Sequence, residues 1–246
     1  YEDLKFFLGE RVLLFPAESI SYYFVEAYSR EVSIERLRVL KKLIKEDRVV
    51  IVASIEAVMK KIQQREGFQE HWHILQVGQR IEIQELQNIL IDCGYERVDE
   101  VESPGQYNIR GGIVDLYPMI EENPYRIEFF DDEIDSIRSF DVTSQRSIEK
   151  YQELEIFPTK ELLFSKEMKD QALNQFKKEA EKYIKNQRNK GKEDFADKVQ
   201  TNLESKLELM QQGQSDNWEI FLPCMKDDFV SFIDYFPADA LLFLDQ

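Results

Sequence analysis

Apolar and polar residues alternate most clearly in Tyr125-Arg126-Ile127-Glu128-Phe129-Phe130. Successive side chains of a strand point to opposite faces, so Tyr125, Ile127 and Phe129 form one set and Arg126, Glu128 and Phe130 the other. The first set reads as core. A phenylalanine sharing a face with an arginine and a glutamate has two readings. It is a docking anchor, since the energetic centres of interfaces are enriched in aromatics and arginine, or it is buried where it closes the hairpin turn Asp131-Asp132-Glu133. The run belongs to a β-meander predicted from Pro104 to Asp141, in which Gly111-Gly112 suit a bulge or a close backbone approach.

The pattern elsewhere predicts three regions. In residues 1–65, Val12-Leu13-Leu14-Phe15 is a short apolar strand stopped by Pro16, and a helical stretch follows from Glu18 to Ser29. Ser33 is placed to cap a second helix carrying Ile34, Leu37, Leu40, Leu43 and Ile44. Val49-Val50-Ile51-Val52-Ala53 reads as a parallel strand buried on both faces. Ser54 caps a helix carrying Ile55, Val58 and Ile62. In residues 66–158, Trp72, Ile74 and Val77 mark a strand, and Ile83, Leu86, Leu90 and Cys93 form one helical stripe. Gly94 suits the left-handed position just past that helix, and Leu154-Glu155-Ile156-Phe157-Pro158 is the last strand or exit of the meander. One helix with several short antiparallel strands makes an α+β unit. In residues 159–246, Lys166 to Gln212 predicts a helical hairpin broken at Asn189-Lys190-Gly191-Lys192. Its apolar stripes run from Phe176, Ala180, Tyr183 and Ile184 to Phe195, Val199, Leu203, Leu207 and Met210. Packing of this hairpin onto the first region is favoured over a coiled-coil partner site. Ala240-Leu241-Leu242-Phe243-Leu244-Asp245 has the pattern of a buried strand.

The chain has 246 residues with 17 Phe and 11 Tyr, enough apolar matter for a substantial core and more than one domain. No apolar run approaches the ~20 residues that span a bilayer. The start, Tyr1-Glu2-Asp3-Leu4-Lys5, carries no basic leader and no initiator methionine, and reads as an internal cut from a longer protein. The two cysteines, Cys93 and Cys224, point to free thiols in a reducing, cytoplasmic compartment, with one buried disulfide as the alternative. A net charge of −16 repels a polyanion on average and makes protein the default partner rather than nucleic acid.

Catalytic chemistry is poorly supplied. Neither GxxxxGK[ST] nor GxGxxG occurs. His71 and His73, the only histidines, would share a strand face, but no third and fourth metal ligand stands at a suitable spacing. Nothing near Cys93 or Cys224 activates a thiolate. Asp131, Asp132, Glu133 and Asp135 lack the glycine and ligand spacing of a calcium loop and read as a solvated turn. The strand ending at Asp245 is similar to the strand and acid that hold magnesium in P-loop ATPases. The next residue, Gln246, is an amide and cannot act as a base.

The segment YNIRGGIVDLYPM…NPYRIEFFDDEIDSIRSFDVTSQRS, with YEDLKFFLGERVLLFPA and DALLFLDQ, resembles the amino-terminal UvrB-homology module of bacterial transcription-repair coupling factors. The resemblance covers essentially the whole chain. It implies an α/β fold: a degenerate helicase-like domain of the P-loop NTPase type, in two segments at 1–65 and 159–246, with an α+β domain inserted at 66–158. That insert would bind UvrA, the damage-recognition ATPase, through Arg110, Arg126 and Phe130. Hydrolysis and the DNA-gripping hairpin of UvrB would be missing, and Gln246 agrees with that. The implied fragment is a monomer with no enzymatic activity and no cofactor. It would meet RNA polymerase and DNA only through the remainder of its parent, and its docking face would be masked in the resting full-length protein. The alternatives are an ATP- and DNA-binding fragment like UvrB itself and a structural spacer.

Overall fold

A computed structural model describes residues 1–17, 25–46, 48–211, 218–225 and 229–245. The chain divides into two units, Tyr1–Leu163 with Val230–Gln246, and Phe164–Phe229.

The first unit opens with helix α1 (Glu2–Leu8), strand β1 (Val12–Phe15) and helix α2 (Val25–Lys45). Strand β2 (Val50–Ala53) pairs with β1 in parallel, Val12 opposite Val50. The expected helix from Glu18 lies largely outside the described residues. Ser33 does not cap: it stands inside α2, because nothing from Val25 to Lys45 is glycine or proline and the helix runs through. Ser54 does cap α3 (Ile55–Met59), its hydroxyl accepting the Ala57 amide at 3.2 Å. That helix stops early, so Ile62 is buried in strand β3 (Lys61–Gln63) while Ile55 is exposed. The β1–β2 pair and α2 bury Phe15, Leu37, Leu40 and Leu43 together with Phe68, Phe157 and Phe232. Arg36 is fully buried in this core. Its guanidinium donates to both oxygens of Glu161 at 2.5 and 2.7 Å and to the Pro16 carbonyl at 2.7 Å, and lies 3.9 Å from the Phe15 ring. A buried charge persists only with such pairing.

Helix α4 (Arg65–Glu70) leads to strand β4 (His73–Gln76) and helix α5 (Ile83–Asp92). The outward and inward positions of β4 differ from the expected ones. Leu75 faces Leu154 of the strand Glu153–Ile156 and both are buried, whereas Ile74 is exposed opposite Glu155. Trp72 precedes the strand and packs edge-on against Phe157. Strand β11 (Glu153–Ile156) therefore pairs with β4 and not with the meander. Gly94, at φ +84, ends the α5 region as expected, and an added Cβ would stand 2.7 Å from Thr159 Oγ1.

The meander is a sheet of six strands in the order β10-β9-β8-β7-β6-β5: β5 (Glu96–Arg97), β6 (Gln106–Arg110), β7 (Ile113–Leu116), β8 (Tyr125–Phe130), β9 (Glu133–Phe140) and β10 (Ser147–Tyr151). One face carries Tyr107, Val114, Leu116, Tyr125, Ile127 and Ile137 onto Leu86 and Leu90 of α5 and onto Cys93 just past it. Each such side chain contributes about 1.5–3 kcal/mol by leaving water. Strand β12 (Phe229–Ser231), whose Val230 and Ser231 belong to this unit, pairs with β3. The run 240–245, expected as a buried strand, has no regular structure, and Leu241 to Leu244 are exposed. A strand needs a ladder as well as apolar side chains, and among the described residues nothing pairs with it.

The second unit is the expected helical hairpin, α6 (Lys166–Asn189) and α7 (Glu193–Gln211), turning at Gly191. Ser165 caps α6 by accepting the Met168 amide at 3.1 Å. Leu173, Ile184, Ala196 and Leu207 are buried, with Trp218 and Phe221 of the following turn, while Tyr183 and Phe195 of the expected stripes remain half-exposed. Arg188 ties the helices by donating to Asp197 at 2.7 Å and Gln200 at 2.9 Å.

Candidate functional site

The face of the six-stranded sheet opposite α5 collects its polar side chains. Directly opposed residues on neighbouring strands share a face, so the ladder pairs define rows. One row runs Asn108, Asp115, Arg126, Arg138 and Lys150, and the next runs Arg110, Ile113, Glu128 and Ser136. Three arginines thus stand on one side of four adjacent strands.

The tightest contact in this array is between Arg126 and Asp115. Nε and Nη2 of the guanidinium donate to Oδ1 and Oδ2 at 2.6 and 2.9 Å, and Nη2 also donates to Gln145 Oε1 at 3.1 Å. The flat of the guanidinium lies 4.7 Å from the Phe140 ring. Only 24% of the Arg126 side chain and 6% of the Asp115 side chain remain exposed. This fork-on-fork pairing is the strong form of an ion pair, and the hydrogen bonds that Arg126 donates to Asp115, opposed by burial, raise the Arg126 pKa. Arg138 pairs with Glu128, whose Oε2 also accepts from Ser136 Oγ at 2.8 Å. Burial works against the Glu128 charge, but the bonds from Ser136 and Arg138 outweigh it and hold the carboxyl below its usual range.

Arg110 is different. It ends β6 at the Gly111-Gly112 turn, its side chain is 62% exposed, and it reaches Asp115 only at 3.8 Å. The turn needs its glycines. Gly111 is at φ +59, and a Cβ on Gly112 would meet the Phe129 carbonyl at 3.2 Å. The Phe129 amide donates to the Gly112 carbonyl at 2.8 Å, which sets the β6–β7 tip beside the end of β8.

Phe130 completes that end of the sheet. The residue is 80% exposed, so the buried, turn-closing alternative is incorrect. Asp131 takes φ +59 in the two-residue β8–β9 turn, Asp131-Asp132. Across from it, β9 carries one residue more than β8, with Glu128 opposite Ser136 but Phe129 opposite Ile134, leaving Asp135 as a bulge. Ile113, 38% exposed and paired with Arg110, adds a second apolar side chain to this end of the face. The three predicted docking residues therefore lie on one face, Arg110 and Phe130 at one end and Arg126 one row inward. Pattern reading overlooked Asp115 and Ile113. The available signal was a lone acid between Val114 and Leu116, on a strand whose register the Gly-Gly turn dictates.

The other groups singled out in the sequence are not assembled. His71 caps the end of α4, its Nδ1 2.7 Å from the Gly67 carbonyl, so it does not share a strand with His73. Burial and the charge of His71 lower the His73 pKa. Among the described residues no three His, Cys, Asp or Glu side chains could hold a metal ion together. Both cysteines are free, and burial, helped by Asp92, pushes the Cys93 thiol up to about 12. Gln246 lies outside the described residues, and no helix among them is long and apolar enough to cross a membrane.

Comparison with known proteins places residues 74–162, which contain the whole arginine face, on the model of the UvrB interaction domain. The full chain is similar to part of the transcription-repair-coupling factor of Bacillus subtilis, 34% identical over 100% of this chain and 21% of that protein. It is 29% identical to the coupling factor of Staphylococcus aureus (strain bovine RF122 / ET3-1) over 99% of the chain and 20% of the relative. The UvrABC system protein B of Thermosipho africanus is 29% identical over 100% of the chain and 40% of its own length. The chain thus spans about a fifth of the coupling factors it matches.

Proposed function

We propose that this chain, which belongs to the UvrB-homology modules of transcription-repair coupling factors and carries a UvrB interaction domain, is a non-enzymatic docking module for UvrA. In the cell it would work in the cytoplasm and bring UvrA to RNA polymerase stalled at DNA damage, meeting polymerase and DNA through other parts of its parent. Residues 1–65 and 159–246 would be the two segments of a degenerate helicase-like domain around the insert at 66–158. Arg110, Arg126 and Phe130 would carry the docking.

The observation that supports this most is the exposed Phe130 ring at the Arg110 end of the polar sheet face. Aromatic and arginine anchors typically contribute about 2 kcal/mol or more each when truncated. Exposed arginine suits an acid on the partner and sets orientation and encounter rate. In a pull-down with purified UvrA, Phe130→Ala, Arg110→Ala and Arg126→Ala should each remove association while the melting temperature of Phe130→Ala stays unchanged. Normal binding by all three would rule the reading out.

The whole-length similarity to UvrABC system protein B favours a second reading, a fragment that binds ATP and DNA. A fluorescent ATP analogue and a duplex titration at two salt concentrations separate the two. Tight, salt-sensitive duplex binding supports the second.

A further inference from the structure

We infer that Arg126 serves docking as a positioning residue: by occupying Asp115 it leaves Arg110 free to be presented to the partner. The inference rests on the docking reading above and assigns its parts.

Asp115 has two cations within reach. Arg126 takes both carboxylate oxygens at 2.6 and 2.9 Å, whereas Arg110 stands at 3.8 Å from Oδ2. The Asp115 side chain is nearly buried, so its charge needs a partner, and removal of one member of such a pair leaves the other poorly solvated. With Arg126 removed, the cation already nearest to Asp115 is Arg110. Closing the remaining gap would draw Arg110 down onto the sheet and away from Phe130's end of the face. Arg126 is poorly disposed to contact a partner itself. Nε and Nη2 are spent on Asp115 and Gln145, its charge is matched, and Phe140 lies against the guanidinium. Arg138, the next cation in the row, is held by Glu128 and cannot replace it. Of the three arginines of the face, the exposed one is therefore Arg110, and the partner chemistry that fits is a carboxylate beside an apolar seat for Phe130 and Ile113.

The test is a double-mutant cycle on UvrA affinity, with melting temperature measured for every variant. Arg126→Gln alone should weaken binding about tenfold or more, and Asp115→Asn with Arg126→Gln should recover to within about threefold of the original affinity, because no charge then competes for Arg110. Arg110→Gln should abolish binding in both backgrounds. A double variant that stays folded and binds no better than Arg126→Gln would overturn the inference and make Arg126 a direct contact. Should that pair melt below the assay temperature, Asp115→Leu with Arg126→Met keeps the volume without the charges and has the same two outcomes. Failure of the unaltered chain to bind UvrA would instead remove the docking reading itself.

Discussion

Tyr125–Phe130 and Ala240–Asp245 are both short runs dominated by large apolar side chains, yet one lies within a sheet and the other has no regular structure. The difference lies in what each needs from elsewhere. Strand β8 has both neighbours close by in sequence, β7 through one connection and β9 through a two-residue turn, so its hydrogen-bond ladders close locally. For residues 240–245 none of the described strands supplies a ladder. The parallel pair β1–β2 shows the same dependence: β2 is half-buried at every position, not buried on both faces. Apolar composition is a capacity for burial, and a ladder turns it into structure.

Substitutions can break that contrast. Ile127→Ala, at a fully buried position on β8, should destabilise the first unit by about 2–4 kcal/mol in urea denaturation, the range for a large-to-small core change. Gly111→Val puts a β-branched residue at φ +59 and should lose about 1–2 kcal/mol by the same measurement, a direct gauge of how far the local turn holds the meander. A smaller effect is expected from acid. Burial tends to raise the Glu155 pKa, but the hydrogen bonds and charges of Lys41 and Lys45 overcome it and lower the folded-state value. Glu155 therefore adds stability above the ordinary carboxylate range near ~4.3, and loses it as pH falls through the lowered folded value. The urea midpoint followed against pH should drop in that window, and Glu155→Gln should flatten the drop. Least of all, Leu242→Ser in the exposed tail should move the midpoint by under about 0.5 kcal/mol. A loss above about 1 kcal/mol would mean that the tail is packed in solution and the contrast false.

The site divides along the same line. Alternation alone put Arg126, Glu128 and Phe130 on one face, and the structure agrees because β8 keeps its pleat while β9 absorbs the bulge at Asp135. The exposure of Phe130 was not readable, since a turn residue of either fate has the same pattern. Asp115 was missed because one acid in an apolar strand gains meaning only when register sets it opposite Arg126. Ile74 and Leu75 were confused for a related reason: adjacent apolar residues leave parity open, and the cross-strand partner Leu154 decides it.

By itself, the order of residues determined what depends on neighbours in the chain: the α5 stripe, the left-handed Gly94, the helical hairpin broken near Gly191, and the strands of the meander. These follow from side-chain period and local dihedral preference, which act over a few residues. Tertiary structure decided which strand β11 joins, that Arg36 finds Glu161, and that Asp115 is shared between two arginines. Each of these depends on groups brought close only by folding, where burial makes an unpaired charge or an open ladder too unfavourable to leave.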